Sequence, residues 1–390
     1  MLSIVHILPN DKFSPINIFD GTDSNNTYYC IVDEGVEIAY LDKNRVHAIA
    51  YKQLLNVCLT MDADIVILHS LPTSFYGLVL ALPAKVKVVW ALWGYDMYYG
   101  SELYRPIYEM SLYKPLTQKW YNSLYTRPLF RQFTHSFKRI IQYSQFKAKE
   151  EAKKQAQIQA TEIQNRVLDR IDYCAPIFIN EMELLATNSH FNAQYFPFQY
   201  SRWHVDDDFG SVDYLEKATF IQLGNSADTA GNMLDVLALL RKREITNTVY
   251  LPMAYGDEEY KNAVSDFIDK HKMNAIVQDK MIPYDEYYHI LQNCRVAIYG
   301  HLRQQASDSI HMSLLRGNKV FMYSESVGYQ YYKQTGFYIY NIENDLTAEN
   351  IADLLDEEQI AHNRKLVLDT VSIEGVTKRV DKFLKEIENA

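Results

Sequence analysis

The sequence predicts an α/β protein built from two doubly wound parallel sheets, each covered by helices. Three observations support this prediction: the length of 390 residues, an ordinary globular composition, and a strand–helix alternation that occurs twice along the chain. Hydrophobic residues make up 48% and charged residues 23% of the chain, which excludes wholesale disorder and collagen-like repeats. A chain of this length is expected to fold as two domains.

The first half alternates strand-length apolar runs with one helical stretch. Residues Lys43–Leu59 carry apolar side chains at helical spacing, so we expect a helix there. Strands that are separated by helices pair in parallel, because the helix returns the chain to the same end of the sheet. Four apolar runs are the predicted strands of this first sheet: Ser3–Leu8, Thr27–Val32, Asp64–Ser70 and Val86–Trp93.

The second half repeats the alternation more regularly. Gly224, Gly256 and Gly317 mark joints between strands and helices, where turns need glycine. The predicted strands are Thr219–Leu223, Thr248–Met253, Ala275–Gln278, Arg295–Tyr299 and Lys319–Tyr323. The predicted helices are Asn232–Lys242, Glu258–His271, Tyr284–Gln292, Ser307–Arg316 and a polar terminal helix, Thr377–Ala390.

We therefore expect Rossmann-like domains at residues 1–205 and 206–390, with a basic helical insertion at about 112–170 of the first. The segment 114–156 carries ten basic and two acidic residues, a local net charge of +8, and aromatic residues lie among them. A Gln-rich helix then runs to about Arg170. Two interpretations remain open: a solvated insertion whose rings pack on the domain, or a surface that binds anionic lipid.

The overall charge and the length of the apolar runs indicate whether the protein binds nucleic acid or spans a membrane. The chain has 39 Lys and Arg against 49 Asp and Glu, a net charge of −10, which argues against a nucleic-acid partner. No apolar run approaches the roughly 20 residues of a membrane span. The start, Met1–Leu8, has no basic n-region and is expected to be a strand rather than a signal peptide. We expect a cytoplasmic protein that is soluble or peripheral to a membrane.

The sequence contains no convincing metal-binding pattern. The four cysteines lie far apart and have no zinc-type spacing to histidines, so we expect buried, reduced thiols. Asp62-Ala63-Asp64 has the DxD pattern that can hold a metal, but it precedes an apolar run instead of following one. We expect neither a metal ion nor a cofactor.

Polar loops follow several predicted strands of the second half. Ligands of open α/β sheets bind outside the carboxyl ends of the strands. Gly224, Asn225 and Ser226 would let backbone N–H groups approach a diphosphate at the next helix N-terminus, although an ordinary capped turn explains them equally well. The loop matches neither GxGxxG nor a Walker motif, which disfavours NAD enzymes and ATPases.

The loop Arg303-Gln304-Gln305 gives the stronger signal. Arg303 offers a planar fork to phosphate oxygens, and the two glutamines add polar donors. Ser307 or Ser309 is expected to cap the following helix, whose N-terminus favours an anion. Because such a loop is costly to bury without a ligand, we expect it to hold the phosphates of a nucleotide.

Two further candidates follow other strands of the second half. Glu325 is a candidate for binding ribose or sugar hydroxyls, and Tyr284 for the wall of a base pocket. A solvated turn and an ordinary strand–helix joint explain these two residues equally well.

The first half supplies two candidate catalytic residues. Asp96 comes just after the predicted strand Val86–Trp93, where a carboxylate can act as general base on an acceptor hydroxyl. His69 ends another strand and is a second candidate base, although a lone histidine is more often structural.

Five short blocks of the chain resemble the bacterial TDP-N-acetylfucosamine:lipid II N-acetylfucosaminyltransferases, and they come in the family's order. At Ala306-Ser307-Asp308 the chain departs from the family, which has Gly-x-Gly after its Arg-Gln-Gln. The blocks are Val5–Leu8, Trp93–Tyr98, Gly224–Asp228, Pro252–Gly256 and Arg303–Gln305.

The resemblance implies the GT-B fold, with an acceptor-binding first domain and a nucleotide-sugar-binding second domain. It also implies transfer of an N-acetylated deoxy sugar from a TDP-linked donor to a polyprenyl-diphosphate-linked saccharide in surface polysaccharide synthesis. The protein would then attach to the cytoplasmic face of the inner membrane, which would suit segment 114–156. A capsule or O-antigen transferase with a related donor is an equal alternative.

Three questions of function remain open from the sequence. If the reaction inverts the anomeric centre, Asp96 is the expected base; if it retains the centre, Asp96 would position the acceptor. A nucleotide-sugar 2-epimerase of the same architecture would need an acid and a base, but no acceptor. A non-enzymatic GT-B-like subunit would bind a partner through residues 114–170 and would bind no nucleotide.

Overall fold

Two parallel β-sheets with helices packed against them make up the described chain, which confirms the predicted α/β class. The side chains of residues 125, 143–150, 153 and 284 lie outside the description. The structure is a computed structural model that describes residues 1–11, 14–60, 62–98, 112–125 and 143–389.

The first sheet has seven parallel strands in the order β3-β2-β1-β4-β5-β6-β7. Strands β1 and β4 are neighbours in the centre, at the point where the strand order reverses. The strands are β1 (Leu2–Leu8), β2 (Ser24–Ile31), β3 (Val46–Ile49), β4 (Ile65–Leu68), β5 (Lys87–Ala91), β6 (Tyr173–Ala175) and β7 (Gln194–Tyr195).

The second sheet has six parallel strands in the order β10-β9-β8-β11-β12-β13. Its strand order reverses between β8 and β11, so the carboxyl ends of these two strands frame its ligand-binding edge. The strands are β8 (Phe220–Leu223), β9 (Val249–Pro252), β10 (Ala275–Gln278), β11 (Cys294–Tyr299), β12 (Lys319–Met322) and β13 (Tyr340–Asn341).

Helices connect the strands, and short 3₁₀ turns occur at Thr73–Phe75 and Thr229–Gly231. The α-helices of the described chain are Ile16–Phe19, Tyr51–Thr60, Tyr76–Ala81, Tyr95–Tyr98, Pro115–Tyr125, Tyr143–Arg170, Glu181–Leu185, Tyr214–Lys217, Met233–Lys242, Glu258–His271, Tyr284–Leu291, Ser307–Leu315, Val327–Gln334, Ile342–Asp345, Ala348–Ala352, Glu357–Val371 and Ile373–Glu388.

Apolar side chains on both faces of each sheet form the cores. All four residues of β4 are buried, as expected for a parallel strand that is covered on both faces. Ile65 and Ile67 pack into the core on one face of the first sheet, and Val66 and Leu68 into the core on the other. The second sheet likewise separates two apolar clusters.

Four short strands, β3, β6, β7 and β13, are missed by the sequence prediction. Strand β3 lies inside Lys43–Leu59, where the spacing predicts a single helix, and the helix begins only at Tyr51. The helix prediction is wrong for these residues because Val46 and Ile49 pair with β2 and bury their side chains there. Strands of two to four residues are too short to show a periodicity of their own.

Apart from segment 112–125, the described chain passes from one domain to the other twice. After β7 it enters the second sheet, and the terminal helix Ile373–Glu388 returns to the first, where Val376 and Val380 join the core beside β1. The Thr377 hydroxyl donates to the Ile18 carbonyl at 3.0 Å. The two crossings lie side by side, since the Ile373 N–H donates to the Trp203 carbonyl at 2.8 Å.

A segment of the first half, residues 112–125, packs on the second domain; we call it the arm. Its helix, Pro115–Tyr125, begins at the Asp235 carboxylate, which accepts hydrogen bonds from the N–H groups of Leu116 and Thr117, each at 2.8 Å. The arm therefore links the two halves of the chain through contacts between residues that are far apart in sequence.

The basic segment 114–156 lies partly outside the described residues, because residues 126–142 are not described. Helix Tyr143–Arg170 ends where the sequence predicts, and Val167 and Leu168 in its last turns are buried in the first core. Within the described ranges, no helix combines the length and the apolar character that a membrane span needs. The lipid-binding interpretation of the segment stays a prediction.

Candidate active site

A cavity of about 460 Å³ lies between the two domains, at the carboxyl ends of strands from both sheets. Residues that follow β1, β5, β6 and β7 line one side of it, and residues that follow β11 line the other. Ligands of open α/β sheets bind at this edge. The rings of Trp93, Tyr200 and Trp203 and the amides of Gln199 and Gln304 contribute to its lining.

The two domains touch at Gly94 and Gln304. Gly94 has a φ of +80°, and a Cβ built there would lie 2.3 Å from Gln304 Oε1 and 3.1 Å from the Gln304 carbonyl. Only glycine suits this position, because it accepts positive φ and leaves room for the opposing loop. The structure thus brings the predicted residue Gln304 to the cavity, directly against the loop that follows β5.

Asp96 lies inside the first domain instead of lining the cavity, and its side chain is buried. One carboxylate oxygen accepts from Leu71 N at 2.9 Å and from Trp90 Nε1 at 2.7 Å, and the other accepts from Trp93 N at 3.0 Å. Burial raises the pKa of Asp96, and these hydrogen bonds oppose the rise. Asp96 therefore holds the ends of β4 and β5 together.

His69 is also buried, and it reaches the cavity only through Tyr200. Its Nε2 lies 3.1 Å from His6 Nδ1, and its Nδ1 is hydrogen-bonded to the Tyr200 hydroxyl. The next residue, Ser70, has a φ of +127°, a strained conformation for a residue other than glycine. The Tyr95 hydroxyl donates to Ser70 Oγ at 2.8 Å and helps to hold this turn.

Arg303 is buried next to Gln304 and forms an ion pair with Asp228. Its Nη1 donates to the Gln304 carbonyl at 2.7 Å, and its Nη2 lies 3.3 Å from Asp228 Oδ2. Glu181, from the first domain, feels the positive charge of Arg303, but burial dominates and raises the pKa of Glu181 to about 8. The Tyr98 hydroxyl donates to Glu181 Oε1 at 3.1 Å.

The helix Ser307–Leu315 presents its N-terminus next to the cavity, and no side chain caps it within the described part of the chain. The prediction that Ser307 or Ser309 caps this helix is wrong, because Ala306 occupies the cap position with a φ of +59°. Gln305 Oε1 is buried without a partner among the described residues. An uncapped N-terminus and a buried amide oxygen leave this edge open to a polar ligand.

The loop Gly224–Ser226 precedes a second helix N-terminus, which the arm covers. The side-chain amide of Asn232 donates to the Gly300 carbonyl at 2.8 Å and to the Leu112 carbonyl at 3.2 Å, and its Oδ1 accepts from Lys114 N at 2.7 Å. Residues of the arm therefore occupy the start of helix Met233–Lys242. Of the two predicted anion sites, the one at Ser307 remains open.

The remaining predicted residues lie at the same edge of the second sheet. Glu325 forms an ion pair with Lys114 of the arm at 2.7 Å, and the Lys114 ammonium lies 4.4 Å from the centre of the Tyr323 ring. Asn225 Nδ2 lies 3.5 Å from the Tyr255 hydroxyl, and its Oδ1 is buried without a described partner. Tyr284 begins the helix Tyr284–Leu291, and its side chain lies outside the description.

Neither a family model nor a curated protein sequence matches the chain. Solved structures do match it. HepE of Anabaena, crystallised with UDP and glucose, aligns with a TM-score of 0.60 and 8% identity over 99% of this chain and 100% of its own. A glycosyltransferase of Rickettsia africae aligns with a TM-score of 0.57 and 12% identity, over 99% of this chain and 98% of its own. The sucrose-phosphate synthase of Thermosynechococcus elongatus gives 0.59 and 8%, over 100% of both chains.

The chain has the GT-B fold. At identities of 8–12% the similarity concerns the fold, and it agrees with the two Rossmann-like sheets and the cleft between them. The cavity described above lies in the GT-B cleft.

Several residues at the GT-B cleft are missed by the sequence reasoning. Tyr200 lines the cavity, but it lies next to a stretch that the sequence predicts to be a linker. Glu181 begins a short helix that carries no recognisable motif. A signal that could have indicated a buried polar cluster is His6, a histidine in the largely apolar strand Leu2–Leu8. Among the described residues, no group of three histidine, cysteine or acidic side chains could hold a metal.

Proposed function

We propose that the protein is a glycosyltransferase that moves a sugar from a nucleoside-diphosphate donor to an acceptor hydroxyl. The observation that carries the proposal is the interdomain cavity, with an uncapped helix N-terminus on one side and aromatic rings on the other. A helix N-terminus favours a diphosphate, and rings combined with amides suit the apolar faces and hydroxyls of a sugar. HepE, a protein of the same fold, was crystallised with UDP and glucose.

The second domain is proposed to bind the donor. The first-turn N–H groups of helix Ser307–Leu315 and the amides of Gln304 and Gln305 would face the diphosphate, with the charge of Arg303 behind them. Negative charge grows on the diphosphate as its bond to the sugar breaks, and fixed donors stabilise that charge. We propose that the remaining predicted residues bind the nucleoside or sugar: Gly224, Asn225, Ser226, Tyr284, Ser307 and Glu325.

The first domain is proposed to bind the acceptor. Trp93 and Tyr200 offer ring surfaces next to the Gln199 amide, a combination that suits a saccharide. We assign Asp96 a positioning role, because all three hydrogen bonds to its carboxylate come from inside the fold. It fixes Trp93 at the wall of the cavity. His69 is proposed to act through Tyr200.

The resemblance refines this proposal to one reaction class. We propose a TDP-linked, N-acetylated deoxy sugar as donor and a polyprenyl-diphosphate-linked saccharide as acceptor, in the synthesis of a bacterial surface polysaccharide. Such an acceptor lies in the membrane, so the basic segment 114–156 is proposed to hold the protein on anionic lipid at the cytoplasmic face. We propose the domain division at residues 205 and 206 and no requirement for a metal.

Thermal unfolding with TDP, UDP, GDP, CDP and NAD, each with and without magnesium, tests the proposal. A nucleotide at about 100 times its Kd should add roughly 2.7 kcal/mol to the free energy of unfolding. We expect one nucleoside diphosphate to stabilise the protein without a metal, and Gln304→Ala to weaken that binding. Gln330→Ala, which changes an exposed glutamine on helix Val327–Gln334, is the matched control.

Three outcomes would contradict the proposal in different ways. No response to any nucleotide would favour the non-enzymatic subunit. Release of an epimerised sugar without an acceptor would favour the 2-epimerase. Equal nucleotide affinity in wild type, Gln304→Ala and Gln330→Ala, measured by calorimetry, would remove Gln304 from the donor site.

A further inference from the structure

An ion pair lies at the wall of the interdomain cavity. Of the described residues that line the cavity, Arg202 is the one with a cationic side chain and Asp308 the one with a carboxylate. Arg202 lies on the crossing that follows β7, and Asp308 lies in the first turn of helix Ser307–Leu315. Arg202 Nη2 is 2.9 Å from Asp308 Oδ2, and both side chains are about half exposed. A ligand in the cavity can therefore reach the pair.

The guanidinium of Arg202 is held in place by its neighbour, Trp203. Its central carbon lies 4.4 Å from the centre of the Trp203 ring, a cation–π contact. Trp203 is itself fixed where the two crossings meet, because its carbonyl accepts from Ile373 N at 2.8 Å. The charge of Arg202 can therefore stay at the cavity when its anionic partner changes.

Arg303, the other arginine near the cavity, is committed to contacts within the fold. It is buried and does not line the cavity. Its Nη1 donates to the Gln304 carbonyl at 2.7 Å, and its Nη2 lies 3.3 Å from Asp228 Oδ2, which offsets its charge. The cation that a diphosphate in the cavity can contact directly is therefore Arg202.

A second donor, His311, lies one turn further along helix Ser307–Leu315. His311 lines the cavity with 8% of its surface exposed, and no described residue is hydrogen-bonded to its ring. The buried histidines His6 and His69, in contrast, contact each other at 3.1 Å. Burial lowers the pKa of His311 to about 4, so its ring is neutral near pH 7 and carries one N–H group. Since buried polar groups nearly always have a partner, this side chain is suited to a ligand in the cavity.

The ion pair and His311 lie together. Asp308 and His311 are three residues apart on the helix and are therefore neighbours on one face, which lines the cavity. Arg202, the first-turn N–H groups of the helix and the His311 ring all offer hydrogen-bond donors there. The one carboxylate in this group, Asp308, is paired with Arg202. Donors from three directions suit an anion.

We infer that Arg202 and His311 bind the diphosphate of the donor, and that Asp308 holds Arg202 in place until the donor arrives. This inference rests on the proposed glycosyl transfer and adds two residues to its donor site. Arg202 exchanges the single negative charge of Asp308 for the larger charge of the diphosphate, which its planar fork can contact with two hydrogen bonds. Both residues then stabilise the negative charge that grows on the diphosphate during transfer.

Calorimetric titration with UDP, TDP, GDP and CDP tests the exchange of partners. Arg202→Gln should raise the Kd of the nucleoside diphosphate about tenfold or more, because a charged contact is lost. Asp308→Asn should lower that Kd about threefold, because no carboxylate then competes for Arg202. Arg45→Gln is the matched control and should bind like wild type, since Arg45 forms a comparably exposed ion pair with Asp20 away from the cavity.

His311→Phe tests the second donor. Phenylalanine can keep the ring contact with Tyr332, whose centre lies 5.9 Å from that of His311, but it has no N–H group. We expect the Kd of the nucleoside diphosphate to rise about fivefold. The melting temperature without nucleotide should change little, because the fold loses no hydrogen bond.

The outcomes separate this inference from the proposed function. Nucleotide binding with equal affinity in wild type, Arg202→Gln and Arg45→Gln would overturn the inference and leave the proposed glycosyl transfer standing. An unchanged Kd in His311→Phe, or a raised Kd in Asp308→Asn, would also overturn it. Absence of binding of any of the four nucleotides to wild type would overturn both.

Discussion

The two edges that face the cleft differ in how far their polar groups are hydrogen-bonded within the fold. On the first-domain side, Asp96 accepts three hydrogen bonds inside the fold, and His69 lies between His6 and Tyr200. On the second-domain side, no described side chain caps the helix Ser307–Leu315, and Gln305 Oε1 is buried without a described partner. The first edge is held by hydrogen bonds within the fold, whereas the second keeps first-turn N–H groups that no described side chain caps.

In the proposed glycosyl transfer, this difference would correspond to the two substrates. A leaving diphosphate needs donors, and unpaired N–H groups at a helix N-terminus supply them when the ligand binds. In the same proposal, the sugar acceptor packs against rings such as Trp93, and a buried network holds that ring in place without rearrangement. Substitutions on the first edge should therefore change stability, while those on the second should mainly change binding.

The largest expected effect comes from Glu181, the buried carboxyl at the contact between the domains. Its pKa is raised to about 8 from a value of 4.5, so the folded protein keeps a proton that the unfolded chain has lost. Stability should therefore fall by a few kcal/mol as pH rises between about 4.5 and 8. Glu181→Gln should remove that fall and be more stable than wild type at pH 8.

Chemical denaturation at several pH values measures this effect. Gln can accept from Phe178 N and donate to the Tyr98 hydroxyl, so the hydrogen bonds of Glu181 can be kept. Glu183→Gln, an exposed change on the same helix, is the control and should follow wild type. A parallel pH dependence in all three proteins would show that Glu181 ionises normally.

Asp96→Asn is expected to give the next largest effect. Three N–H groups point at the carboxylate, so an amide nitrogen must face at least one of them, at a cost of about 1–3 kcal/mol. Asp308→Asn on the second edge should change stability by less than about 1 kcal/mol, because Asp308 forms a half-exposed pair with Arg202 at 2.9 Å. Urea denaturation of both variants measures the difference, and equal losses would contradict the comparison.

Gly94→Ala tests the point where the two edges meet. Gly35 has nearly the same φ, +82° against +80°, but a Cβ there would contact nothing within 4 Å. Both changes add strain at positive φ, about 1 kcal/mol, so the excess loss in Gly94→Ala measures its contact with Gln304. We expect an excess of about 1 kcal/mol and weaker nucleotide binding in Gly94→Ala alone. Equal melting temperatures would show that the loops separate freely.

The fold was largely predictable, because periodicity and apolar runs are local properties of the sequence. Nine of the thirteen strands fall on predicted runs, and the misses are strands such as β6 and β7 with three and two residues. The packing of the arm on the second domain was not predictable. It depends on contacts such as that of Asn232 with Leu112, which lie more than a hundred residues apart in sequence.

The candidate site was predictable in place but not in detail. Strand ends located Gln304 and Ser307, which line the cavity, because parallel topology fixes where ligands bind. Whether a side chain after a strand faces the cavity or the interior depends on its rotamer and neighbours. This is why Asp96 and His69, which follow strands at the cleft, are buried and do not line the cavity.

The paired crossings between the sheets restrict how the cleft can open. A single connecting strand would let one domain bend and twist freely against the other. Here the chain passes twice, and the passages are bonded through Trp203 and Ile373, with a further bridge between Trp203 and Ser372. Two connections that lie side by side favour one rotation, about the line that joins them. The arm is a third link, because it belongs to the first half of the chain and is bonded to Asp235 of the second domain. Together these links should restrict the opening of the cleft, so that each closure returns Gln304 to Gly94 in the same register.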